Sequence, residues 1–280
     1  MRRILIVGLL LIGCFVFGCG FDTVTEEDEC LEPETIEVLV QGELVAPRGV
    51  TTDTGDGLVI VWWYATYQDG VAGYDIYRSY NYDGEYDWIG EAGAENESFT
   101  DEDVANGTTY YYAVSAFSDD DRESHLSYEE AEDTPRPEGT ITLYEPTVNK
   151  FLAGFNLNGL EIGHRQWEHS DIFLSTNDKI PLVKSMNGTV FQDLGYFDSI
   201  YAVDSAPLDG YVEGYIEAFA GHIYGVYTAG GHYAVFRVDE IFLEWKDGED
   251  SILHNGWMEI TWAVQLQKGN LELAPRRESK

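Results

Sequence analysis

Six histidines, at positions 125, 164, 169, 222, 232 and 254, are the side chains from which a metal or haem site would have to be built, and such a site needs at least two of them together. His164 and His169 stand on opposite faces if the segment is a strand, and about 140° apart if it is a helix of 3.6 residues per turn. His222 and His232 flank Ala229-Gly230-Gly231, and a hairpin through that turn leaves them on the order of 15 to 20 Å apart at about 3.3 Å per residue. Carboxylates are abundant, with 51 Asp and Glu against 16 Lys and Arg, and carboxylate oxygens are what calcium binds. Asp53-Thr54-Gly55-Asp56-Gly57 and Asp119-Asp120-Asp121 are dense, but neither completes the loop with a terminal Glu that an EF-hand requires. They read as solvated turns. The chain contains no Gly-x-Ser-x-Gly elbow, no His-Glu-x-x-His helix and no phosphate-cradling glycine loop. A carboxylate pair for glycoside hydrolysis is so easily drawn from so acidic a chain that no pair is singled out. The expectation is therefore a non-enzyme, with no catalytic residue, no metal ligand and no cofactor.

Aromatic rings offer a different chemistry. Trp167, Trp245, Trp257 and Trp262, among seven tryptophans and 19 tyrosines, suit a platform on which the apolar faces of sugar rings stack. In the last apolar segment Trp262, Val264 and Leu266 share one face while Thr261, Ala263, Gln265 and Gln267 share the other, so Trp262 is assigned to the core. Trp245, beside Lys246-Asp247-Gly248, is the better candidate for an exposed ring.

The elements that must position these side chains are strands. An aromatic content of 14%, 29 glycines and few helix-periodic stretches point to an all-β chain. From Ala46 to Pro135 the pattern gives seven short strands with turn signals between them. Leu58, Ile60 and Trp62 are read as the inward face of one, Tyr74 and Ile76 of another, and Tyr112, Val114 and Ala116 of a third. This region resembles a fibronectin type III domain: Pro47 stands at the first strand, Trp62 at the core tryptophan, Tyr110 at the tyrosine corner, and Asp101, Val104 and Gly107 in the turn before it. Glu123-Ser124 and Ser127 fit the approach to its last strand. The resemblance implies an immunoglobulin-like sandwich that contributes architecture or a binding surface rather than catalysis.

Thr134-Pro135-Arg136-Pro137-Glu138-Gly139 is a proline-rich break, and residues 136–139 are read as a linker. Beyond it, residues 140–280 are expected to form a second all-β domain, a sandwich or curled sheet. A hairpin of 222–227 with 232–238 is its clearest feature. Further strands are expected at 171–174, 189–191, 252–253 and 257–267. The hairpin and the closing 269–275 segment are similar to a C-terminal domain of uncharacterised bacterial surface lipoproteins. Ser170-Asp171-Ile172-Phe173-Leu174 with that hairpin also resembles secreted haem-binding lipoproteins, but no histidine motif aligns with theirs.

At the start of the chain, Arg2-Arg3, an apolar run from Ile4 to Phe17 and Gly18-Cys19 have the order of an export signal. The segment resembles a bacterial lipoprotein signal, which implies removal of residues 1–18 and lipidation of Cys19. Leu11-Ile12-Gly13-Cys14 has the better local likeness to a lipobox, but cleavage there would leave Phe15-Val16-Phe17 at the mature end. If Cys19 carries lipid, Cys30 is the only remaining thiol; if Cys14 does, Cys19 and Cys30 could pair. Residues 19–45, with Thr25-Glu26-Glu27-Asp28-Glu29, form an acidic tether. Gly20 in place of Asp after the cysteine implies the outer membrane within the cell envelope. A formal charge of −35 makes nucleic acid a poor partner. The expected role is a lipid-anchored envelope binding or structural module, with a surface protein or polysaccharide as partner. The alternatives are a carbohydrate-binding surface lipoprotein and an accessory lipoprotein of haem or metal uptake.

Overall fold

The structure is a computed structural model and describes residues 43–274 except Tyr67, Glu130, 158–160, 164–169 and 247–251. Cys14, Cys19 and Cys30, together with the expected signal and the tether up to residue 42, lie outside the described residues. So do His164, Trp167 and His169. The last tether residues are instead docked, with Leu44 buried and Gln68 bonded to Glu43 O and Val45 N.

Seven strands make the first sandwich: β1 (Arg48–Thr54), β2 (Val59–Tyr64), β3 (Gly73–Ser79), β4 (Asp87–Gly93), β5 (Ser98–Asp101), β6 (Tyr110–Phe117) and β7 (Ala131–Asp133). They pair antiparallel as β1-β2-β5 and β4-β3-β6-β7. A three-stranded sheet facing a four-stranded one in this order is the fibronectin type III arrangement, an immunoglobulin-like sandwich. Val59, Val61, Trp63, Tyr74, Ile76, Tyr112, Val114 and Ala116 fill the space between, and the Trp63 and Tyr74 rings meet at 5.3 Å.

The core tryptophan is thus Trp63, and the expected assignment of Trp62 is corrected. Leu58-Val59-Ile60-Val61-Trp62-Trp63 is apolar at both alternations, so the pattern does not select a face, and a slip of one residue exchanges the two. Trp62 lies on the outer side, donating from Nε1 to Asp53 at 2.8 Å. Tyr110 does form the tyrosine corner. Its hydroxyl accepts the backbone N–H of Ala105 at 2.9 Å.

The described residues from Glu138 onward form a second all-β sandwich. Its strands are β8 (Glu138–Tyr144), β9 (Gly154–Asn156), β10 (Glu161–Gly163), β11 (Ile172–Asn177), β12 (Ile180–Lys184), β13 (Val190–Tyr196), β14 (Val212–Glu213), β15 (Tyr215–Glu217), β16 (His222–Tyr227), β17 (Tyr233–Lys246) and β18 (Ile252–Val264), with one short helix, α1 (Pro146–Asn149). One sheet runs β10-β9-β11-β12-β15, the other β14-β13-β16-β17-β18-β8. Phe155, Leu174 and Val183 of the first meet Phe191, Tyr224, Phe236, Ile260 and Trp262 of the second in a single core. A smaller cluster, including Ile200, Ile223, Val235, Ala263 and Leu273, covers part of the six-stranded sheet's outer face. Trp262 therefore packs inward, as its alternation implies, while neighbouring Ala263 packs on the opposite side.

Gln41–Lys280 cluster as one compact unit, and the segment between β7 and β8 is buried within it. Arg136 is 1% exposed, and Pro135 accepts the Gly107 N–H at 2.7 Å. Gln267, just past β18, donates from Nε2 to Gly107 O at 3.1 Å and to Thr109 Oγ1 at 2.9 Å.

Candidate functional site

The six-stranded sheet is built unevenly. β16 pairs with β17 only over Tyr233–Arg237, whereas β17 and β18 continue together to Lys246 and Ile252. Beyond Val238 the sheet narrows to three strands, β17, β18 and β8. A bulge at Val238/Glu240 inserts Asp239 and marks the change.

On the outer face of this narrow part the register lines up three aromatic side chains. Phe242 pairs with Trp257, and Trp257 pairs with Tyr144. One ring comes from each strand, so the row spans two inter-strand spacings, about 10 Å. The Phe242 and Trp257 rings are 5.8 Å apart and tilted by only 20°. Phe242 is 40% exposed, and Trp257 and Tyr144 are half-buried. Polar groups border the row on both sides. Towards the body of the sheet lie Thr142, Glu259 and Glu240, and towards the tip Asn255 and Glu244.

The inner face of the same strands explains why the rings hold their position. Ile241 packs on the main core. A Cβ at Gly256 would come within 2.9 Å of Leu253 Cδ2 and 3.2 Å of Leu243 Cδ2, so that side is closely filled. Trp245, expected to be the exposed ring, is half-buried on this arm, with Lys179 Nζ 5.7 Å from its ring centre. Of the two, Phe242 rather than Trp245 is the exposed ring, and it stacks on Trp257. Further along the same face, towards the body of the sheet, Thr261 Oγ1 donates to Asp239 Oδ2 at 2.7 Å and Arg237 Nε to Phe197 O at 2.9 Å, while Arg237 also clamps Asp239.

Chemically, the row offers flat apolar faces flanked by acceptors and an amide. That combination matches a pyranose, whose axial C–H faces are apolar and whose rim carries hydroxyls. Phe242 and Tyr144 were not singled out by sequence. The Ile241-Phe242-Leu243-Glu244-Trp245 alternation carries the strand signal, but the partner of each ring follows from register.

The other sequence candidates go elsewhere. His222 Nδ1 meets Asp193 at 3.0 Å, His232 Nδ1 meets Gln265 O at 3.2 Å, and His125 stands 3.5 Å from Glu43, so these three share no ligand. Among the described residues no three His, Cys, Asp or Glu side chains come together as a metal site. Asp56 accepts from Asn106 of the turn before β6 and so ties two turns together, while Asp120 accepts from Ser118 and Arg122 within its own turn. The Ser118 hydroxyl and Arg122 hold the Asp120 carboxyl below the usual range. A groove of about 530 Å³ where the sandwiches meet carries Glu132, Asp204 and Glu272 on its walls. Glu132 and Asp204 are exposed.

No family model matches the chain. An amylopullulanase of Thermoanaerobacterium thermosulfurigenes is 39% identical over 82 residues, which are 29% of this chain and 4% of that protein. One from Thermoanaerobacterium saccharolyticum is 37% identical over 81 residues, 29% of this chain and 6% of that protein. The chain thus spans only a small part of the curated relatives it matches. Among solved structures, an Fn3-like protein from Clostridium thermocellum is 30% identical, covering 34% of this chain and 97% of that one, with a TM-score of 0.28.

Proposed function

We propose that this chain is a non-enzymatic, carbohydrate-associated envelope protein, anchored through lipid on Cys19, whose second sandwich binds polysaccharide on the Tyr144–Trp257–Phe242 row. The row carries the reading: three rings in register, two of them stacked at 5.8 Å, on a sheet face bordered by carboxylates and an amide. The matched segment of the two amylopullulanases, enzymes named for acting on carbohydrate, supports the same direction for an accessory module. The first sandwich then serves as a spacer that carries the row away from the membrane.

Calorimetric titration of the mature chain against soluble glucans, xylan and peptidoglycan fragments tests this. Binding to at least one glycan is expected, and Phe242→Ala weakens it about tenfold, the loss of roughly 1.4 kcal/mol of ring contact. Trp257→Ala weakens it further. Binding unchanged by both substitutions, or no binding to any glycan, would contradict the proposal. Mass spectrometry of the mature N-terminus tests the lipid, with diacylglyceryl-modified Cys19 expected and an unmodified terminus against it.

A further inference from the structure

The outer face of the four-stranded sheet in the first sandwich is a second aromatic surface, of different composition. Register brings Trp88 of β4 beside Tyr77 of β3, and Tyr111 of β6 beside Glu132 of β7. Tyr82, in the loop between β3 and β4, stands edge-on to Tyr111 with ring centres 6.0 Å apart. Trp88 is 56% and Tyr82 60% exposed.

On this face the polar hydrogens of the rings are directed at carboxylates. Trp88 Nε1 donates to Asp75 at 2.7 Å, Tyr77 to Glu123 at 2.5 Å, and Glu123 also accepts from Ser115 at 2.7 Å. Burial and the cross-strand Glu132 carboxylate hold the Tyr111 phenol above its ordinary range. The rings are thereby fixed in orientation, and their π faces, negative in quadrupole, stand among Asp75, Glu91, Glu123 and Glu132. The described ion pairs of the sandwich's three arginines lie elsewhere. Arg78 is held by Asp101 at 2.8 Å on the inner side, Arg122 forks onto Asp120 in the turn after β6, and Arg48 belongs to β1 of the other sheet.

We propose that this face docks a lysine- or arginine-bearing extended segment of a protein partner, with Trp88 and Tyr82 taking the cationic heads on their faces and the surrounding carboxylates pairing with the remaining charge. Charge complementarity selects the occupant: Asp75 and Glu123 already accept from the rings, so a neutral chain gains only their remaining lone pairs and an anionic one is repelled, whereas a cation gains from both the carboxylates and the rings. The surface is separate from the glycan row and does not depend on it.

Fluorescence anisotropy with a labelled lysine decapeptide and the full chain, at about 150 mM salt where diffuse attraction is screened, reads the site. Trp88→Ala and Tyr82→Ala leave the charge untouched and are each expected to weaken binding about tenfold. Trp88→Phe recovers most of the loss, and Phe242→Ala has no effect. Equal binding by wild type and both alanine variants would mean attraction to net charge alone and would overturn the proposal. So would absence of binding, or a chitosan oligomer that outcompetes the peptide and is lost with the same substitutions.

Discussion

Among the carboxylates that give the chain its charge, Asp171 shows how a buried one is made to stay. Its Oδ2 accepts the Leu157 N–H at 2.9 Å, and its Oδ1 accepts from Asn187 Nδ2 at 2.9 Å and Thr189 Oγ1 at 2.7 Å, at 1% exposure. A carboxylate so satisfied is structural, tying the loop after β9 to the turn before β13. Asp171→Asn sets an amide N–H against that of Leu157 and is expected to cost about 2 to 4 kcal/mol, measurable from urea midpoints. A change below about 0.5 kcal/mol would show that the network is not formed. Asp101 plays the equivalent part in the first sandwich, accepting from Arg78 at 2.8 Å and Tyr112 at 3.0 Å. Burial and that neighbouring charge push the Tyr112 phenol far above its usual range.

The turn before β6 is held at both ends, by Tyr110 reaching back to Ala105 and by Gly107 against the second sandwich. Gly107 has φ of +79°, and a Cβ there would lie 2.9 Å from Leu266 Cβ. Gly269 has a similar φ of +73° with open space around it. Gly107→Ala is therefore expected to cost about 2 to 3 kcal/mol and Gly269→Ala about 1, a difference that thermal unfolding resolves. Equal effects would mean that Leu266 does not press on this turn. Elements such as this were legible in the sequence because their signals are local. The seven strands, the corner tyrosine and the hairpin through Gly230-Gly231 each sit within a few residues of their own evidence. The face of β2 was not, since Val59 to Trp63 is apolar throughout. The aromatic row was not either: Tyr144, Phe242 and Trp257 meet only through the pairing of three strands, one of which, β8, begins at Glu138 inside the 136–139 segment that reads as linker. Register, rather than composition, makes that site.

At the scale of the whole molecule, the buried joint between the sandwiches holds charge. Asp133 is fully buried with neither carboxyl oxygen hydrogen-bonded, and burial pushes its carboxyl up to about 6, against the pull of Arg136. Glu138 approaches the Arg136 guanidinium at 3.7 Å. An acid whose folded value lies above its unfolded one, about 3.9, stabilises fully below that lower value, and the contribution disappears as pH rises through about 6. Between pH 4 and 6.5 the wild type is expected to lose up to about 3 kcal/mol relative to Asp133→Asn, read as diverging unfolding midpoints. Parallel curves would place Asp133 in a better solvated setting. The acidic surface disfavours anionic partners, which leaves recognition to the places where rings stand outward. The most direct test of the glycan surface is oxidative footprinting of the full chain with and without a saturating bound oligosaccharide. Protection of Tyr144, Phe242 and Trp257, with Trp62 and Trp88 unchanged, is the predicted result; protection elsewhere with those three unaltered would contradict it.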